Sequence, residues 1–289
     1  MKYKKEIRFL VILIVVLSTV ACLVGLVYNK GVGSYEFKSI NGELIEIYGK
    51  GIYKNDSVSV VAQGKASDLV TLVLGVPLLL SSLLFAIKGS FRARLLLTGT
   101  LGYFLYTYMS YVFLWMYNPL FLVYVILMSA SMFAFIMSMM FFDVERIPKM
   151  FKNGLPIRFL AGFQFFIAFM IGMLWLGKII PSIFSGKVPA GLEHYSTLVI
   201  QGMDLGFVIP VAILSGVLIL KKRPFGYLLT SIVILKGFTM LTCISAMIIN
   251  MVISGVEVSV GELVIFPAFN LLAIISMVIL FRNVCDVSE

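Results

Sequence analysis

The chain is a succession of apolar runs long enough to cross a bilayer, and this restricts the fold more than any motif it contains. A spanning α-helix takes about 20 mostly apolar residues, since the hydrocarbon core is about 30 Å thick. Eight stretches qualify, at approximately 9–28, 68–87, 95–115, 119–141, 157–177, 198–219, 226–250 and 262–281. In lipid every backbone N–H and C=O must find a partner within the segment, so each run is read as a helix. Composition agrees: 61% of the 289 residues are apolar and 13% charged, against roughly half and a quarter in a soluble domain. The expected fold is an all-α polytopic membrane bundle of about eight transmembrane helices.

The first run follows Lys2, Lys4, Lys5 and Arg8, and Thr19-Val20-Ala21-Cys22 looks like a lipoprotein cleavage box. The apolar character continues through residues 23–28, past the roughly 7–15 residues of a signal's hydrophobic region. An uncleaved helix is expected. With the N-terminus inside, Lys and Arg are about twice as numerous on the inner side as on the outer. They cluster at Lys88–Arg94, at Arg146–Arg158 and at Lys221-Lys222-Arg223. The short outer loops near Asn118 and at 251–261 carry none. Both termini are therefore expected in the cytoplasm, in a bacterial-type cytoplasmic membrane. The net charge of +9 belongs to this orienting pattern, so nucleic acid is excluded as a partner and membrane lipid is expected.

The outer segment 29–67 is the sizeable piece outside the membrane. Tyr35 to Ile40 and Glu43 to Tyr48 are β-prone runs flanking Asn41-Gly42, the residues of a tight type I′ hairpin turn. A further strand is expected at 52–53 or 58–61. So small a sheet does not stand alone, and it is expected as a cap on the outer helix ends.

An internal duplication is legible. Ile7-Arg8-Phe9-Leu10 and Ile157-Arg158-Phe159-Leu160 open the first and fifth runs. Gln63-Gly64 with Asp68-Leu69, and Gln201-Gly202 with Asp204-Leu205, precede Pro77 and Pro210, each eleven residues before a basic turn at Lys88 or Lys221. Leu96-Leu97-Thr98 and Leu228-Leu229-Thr230 follow. Four helices per half give parallel repeats about an axis along the membrane normal. The expected domains are 1–141, the first repeat with its cap at 29–67; 142–156, a cytoplasmic linker; and 157–289, the second repeat. Pro77 and Pro210 should kink their helices and free carbonyls near Val73 and Gly206.

Asp204 and Lys236 are the charges placed within apolar runs, and such groups face the bundle interior with a partner. Asp68, further from its proline, reads as a rim residue capping its helix. Asp204 reads as deeper and within reach of Lys236, either as a packing salt bridge or as a ligand site. Asn270 and Gln201 lie near its level, and Tyr103 and Tyr106 belong to a tyrosine stripe on the third helix. Asp204, Lys236, Asn270, Gln201, Tyr106 and Tyr103 are therefore the candidate ligand-binding residues. No catalytic residue, cofactor or metal is expected. Cys22, Cys243 and Cys285 form no C-x-x-C pair, His194 stands alone, and the methionines are core filler. Lys236 lacks the acidic residue one turn before it that a retinal site would show. The leading expectation is a protein that binds or transports a small solute or lipid-like ligand between its repeats. The alternative is a structural or regulatory membrane component whose outer hairpin contacts a partner protein.

Overall fold

The computed structural model describes residues 3–285. Long helices carry it: α1 (Lys4–Val27), α2 (Val58–Ile87), α3 (Phe91–Phe113), α4 (Phe121–Met139), α5 (Ile157–Ser185), α6 (Val199–Leu220), α7 (Pro224–Ile253) and α8 (Val260–Asn283). Among the described residues, 7 of these, all but α3, are long and apolar enough to cross a membrane. The chain is a multi-pass membrane protein.

The helix that falls short is the one the others cover. Thr98, Thr100, Tyr103, Thr107, Tyr108 and Tyr111 of α3 are buried. Hydroxyls inside an apolar bundle need partners, and most of these have them. Thr98 Oγ1 meets Ser138 Oγ of α4 at 2.5 Å, and Tyr103 Oη meets Thr71 Oγ1 of α2 at 2.7 Å. Large apolar side chains such as Phe9, Leu84, Phe169 and Ile183 point outward from the surrounding helices.

Helix ends follow local chemistry. Ser57 Oγ accepts from Val60 N at 3.2 Å and starts α2. Helix α2 thus begins ten residues earlier than its hydropathy indicates, and 58–61 is helix rather than strand. The non-helical part of the outer segment therefore ends at Ser57. Ser259 and Glu262 form a full capping box on α8, and Pro224 opens α7 with the fixed φ of a first-turn residue.

The hairpin pairs β1 (Tyr35–Lys38) with β2 (Leu44–Ile47) in antiparallel register, Lys38 opposite Leu44. Its connection is not the two-residue type I′ turn. Gly42 alone takes a positive φ, +83°, and Gly42 N donates to Ser39 O while Ser39 N donates to Glu43 O. This is the three-residue loop with a left-handed glycine bulge. Asn41 stays at negative φ because the bulge needs only one left-handed position. No third strand joins among the described residues; isolated bridges at Gly31–Lys50 and Ile47–Ser57 tie the hairpin to its flanks.

Helix α7 is the common neighbour: it packs on α2, α3, α6 and α8, so the two halves share one core. Gly99 lets α3 approach it, since a Cβ there would stand 2.6 Å from Leu235 Cβ. At the opposite end from the hairpin, the connection between halves forms a short 3-10 turn (Val144–Met150) and is pinned to the end of α8. Phe151 bridges Val284, Lys152 N donates to Asn283 O at 2.8 Å, and Arg92 Nη2 donates to Val284 O at 2.6 Å.

Helices α2 and α6 each carry a π-helical turn ahead of Pro77 or Pro210, Thr71–Gly75 in α2 and Asp204–Val208 in α6. Each turn ends two residues before its proline. The widened turn moves backbone away from the pyrrolidine ring, which would otherwise meet the carbonyl four residues back. Counted from the prolines, Asp204 corresponds to Thr71 and Gln201 to Asp68. The sequence pairing of Asp68 with Asp204 is thus three residues out of this register.

Candidate functional site

Asp204 opens the π turn of α6 and is clamped from two sides. Tyr106 Oη of α3 donates to Oδ1 at 2.7 Å, and Trp175 Nε1 of α5 donates to Oδ2 at 2.8 Å. The Lys236 ammonium lies 4.2 Å from the centroid of the Tyr106 ring, an arrangement worth about 2 kcal/mol where water is excluded. Asp204 and Lys236 form no ion pair within 4.0 Å; the one salt bridge among the described residues is Arg146 with Asp143. Tyr106 therefore stands between the charges, its hydroxyl on the anion and its ring face on the cation. All four side chains are half-buried. By helical rise from the linker end, Lys236 sits at roughly 18 Å, Tyr106 at roughly 22 Å, Asp204 at roughly 24 Å and Trp175 at roughly 27 Å.

The other expected residues are placed differently. Gln201 lies one turn beyond Asp204 and makes no side-chain hydrogen bond among the described residues. Tyr103 turns away from Asp204 to Thr71. Asn270 Oδ1 accepts from Thr242 Oγ1 at 3.1 Å. Thr242 is six residues past Lys236, about 120° away around α7, so Asn270 serves an α7–α8 contact. Trp175 was absent from the expected set. Its one signal is an indole N–H within an apolar run, which needs an acceptor.

A second carboxylate, Asp68, is expected from the sequence at the rim and lies instead in a buried cluster. Asp68 is 3% exposed and lies deep within α2 rather than capping it. Tyr53 Oη donates to Oδ2 at 2.7 Å, and Tyr111 Oη donates to Oδ1 at 2.9 Å. Gly25 of α1 closes the cluster, because a Cβ there would overlap both Asp68 Oδ2 and Tyr53 Oη. Tyr53 comes from the segment after the hairpin, so the cap is bonded into the bundle.

On the hairpin side the loop before α6 docks on that cap. His194 Nε2 meets Asn55 O at 3.0 Å, Tyr195 Oη donates to Asp56 Oδ1 at 3.2 Å, and Ser57 N donates to Tyr195 Oη at 3.3 Å. Glu193 adopts φ +56° to fit, a left-handed conformation unusual for a residue with a side chain. Burial pushes Asp56 up to about 7, against the Met116 N–H and the Tyr195 hydroxyl, which pull it down. Burial likewise raises Glu193, with Ser57 opposing. A raised carboxylate binds its proton in the docked state, so docking is strongest below about pH 4 and weakens as pH rises through about 7. Hydrogen-exchange protection across residues 187–198, taken relative to the intrinsic rate at each pH, should accordingly be higher at pH 5 than at pH 8. Equal protection would mean that Asp56 does not govern the contact. Beside it, a groove of about 220 Å³ is lined by Glu43, Glu46, Ser57, Glu193 and Ser254. No group of three His, Cys, Asp or Glu among the described residues could hold a metal ion.

No protein-family model, curated protein or solved structure matches the chain. Function therefore rests on the geometry alone.

Proposed function

We propose that this protein binds, and passes across a cytoplasmic membrane, a small solute or lipid-like ligand held between two parallel four-helix repeats. The hairpin cap faces outward and both termini face the cytoplasm. The observation that supports this is the join at Asp204: Tyr106 from the first half and Trp175 from the second converge on one intramembrane carboxylate. Beside it stands a lysine with no anion in salt-bridge range. Ionisable groups are expensive at this depth and are retained where they act on something.

Trp175 reports on the site directly once Trp115 is replaced by phenylalanine. In that background, solutes or amphiphiles that raise the melting temperature should also shift Trp175 emission. Lys236→Ala and Asp204→Asn, still helical by circular dichroism, should lose both responses. Retention of the full response in both variants ends the proposal.

The alternative, a structural or regulatory component, draws on a different fact: both Asp204 oxygens already hold a donor. On that reading Asp204→Ala destabilises the bundle by orphaning the Tyr106 hydroxyl and the Trp175 indole, and Asp204→Asn, which keeps one acceptor, costs less.

A further inference from the structure

We infer that the site takes an anionic amphiphile, with its carboxylate or phosphate head on the Lys236 ammonium and its apolar chain toward the bilayer. This rests on the binding reading proposed above and names the ligand class. The groups of the site differ in what they still need. Asp204 receives Tyr106 on one oxygen and Trp175 on the other, so a cationic ligand has little to add there. Gln201 offers donors and acceptors alike and selects no charge. Lys236 is the unmatched group: its ammonium rests on the face of Tyr106 and makes no hydrogen bond among the described residues. Three N–H donors thus await an acceptor, and a charged donor left without one inside a bilayer is strongly disfavoured.

Space exists beside it. Lys236 is half-buried, and Gly237, next along α7, has no heavy atom within 4 Å of the position a Cβ would take. The inner half of α6 packs on α5 and α7, while its outer stretch reaches α3 and α5, so α6 parts from α7 toward the hairpin end. The lysine stem is held from behind by α3, where a Cβ on Gly102 would sit 3.5 Å from Lys236 Cγ. The head group of a membrane-borne anion can reach the ammonium from that side. A bare hydrated anion must shed its water with no compensating burial, whereas an alkyl chain supplies that burial.

The test uses the full-length protein in neutral detergent, with laurate and dodecyl phosphate as anionic probes and dodecyltrimethylammonium as the cationic one. Acetate and inorganic phosphate serve as tail-less anions. Melting temperature and retention in native mass spectrometry are read for wild type, Lys236→Met and Lys236→Arg. The expected result is stabilisation by the anionic amphiphiles, weakened at least roughly tenfold by Lys236→Met and kept by Lys236→Arg. If acetate and phosphate stabilise equally well, the amphiphile is wrong. If the cationic probe binds best and Lys236→Met abolishes it, the charge assignment is wrong while the site stands. If Lys236→Met changes no probe, both the ligand class and the binding site fall.

Discussion

Asp68→Ala should lower stability by about 3–5 kcal/mol, because it orphans two buried hydroxyls and leaves a void. Tyr53 and Tyr111 both donate to that carboxylate, and neither can turn to water. Asp68→Asn keeps one carbonyl oxygen and should cost less. Gly25→Ala reaches the same cluster from α1. Its methyl would occupy the space of Asp68 Oδ2 and Tyr53 Oη, with an overpacking cost of about 1–3 kcal/mol. Denaturation in mild detergent, followed by helical signal, measures both. Because Tyr53 lies in the cap, Asp68→Ala should also speed hydrogen exchange through residues 48–57. A stability loss under about 1 kcal/mol would show that the cluster is not a main tie.

Gly99→Val should cost about as much as Gly25→Ala and should also disable the candidate site. A Cβ at Gly99 meets Leu235 Cβ at 2.6 Å and the backbone nitrogen of Lys236 at 3.2 Å. Backbone cannot swing aside as a flexible side chain can, so α3 must move away from α7. That movement separates Tyr106 on α3 from Lys236 on α7. A loss of about 1–3 kcal/mol is expected, together with a changed Trp175 emission, since the Tyr106–Asp204–Trp175 chain loosens. If stability falls while Trp175 is unperturbed, the site does not depend on this close approach.

The long apolar helices were legible in the sequence because length and hydropathy follow directly from bilayer thickness. The start of α2 was hidden, because Val58, Val60 and Val61 are β-branched and read as strand, while the decisive signal was one serine cap at Ser57. Asp204 and Lys236 stood out as lone charges, but the way they meet did not. It depends on Tyr106, 98 positions from Asp204, and Trp175, 29 positions away. Asp68 was misplaced for a related reason. Its distance from Pro77 alone makes it a rim residue, and the partners that bury it lie 15 and 43 positions away in a loop and in α3. Spacing along one helix can be read from a sequence; convergence of three elements on one carboxylate cannot.

The two π turns bear on how the proline helices tolerate change. A π turn holds one residue more than the α-helical path requires, so each of these helices contains a unit of slack. Deleting a single residue within Asp204–Val208 would use up that slack: the flanks of α6 would keep roughly their present faces, while the turn before Pro210 became regular α-helix. The pyrrolidine ring would then meet the carbonyl four residues back, at a cost of about 3 kcal/mol. A one-residue deletion there should therefore disturb stability more than aim, whereas a deletion in the regular helix after Pro210 should turn Asp204 by about 100° away from Tyr106 and Trp175.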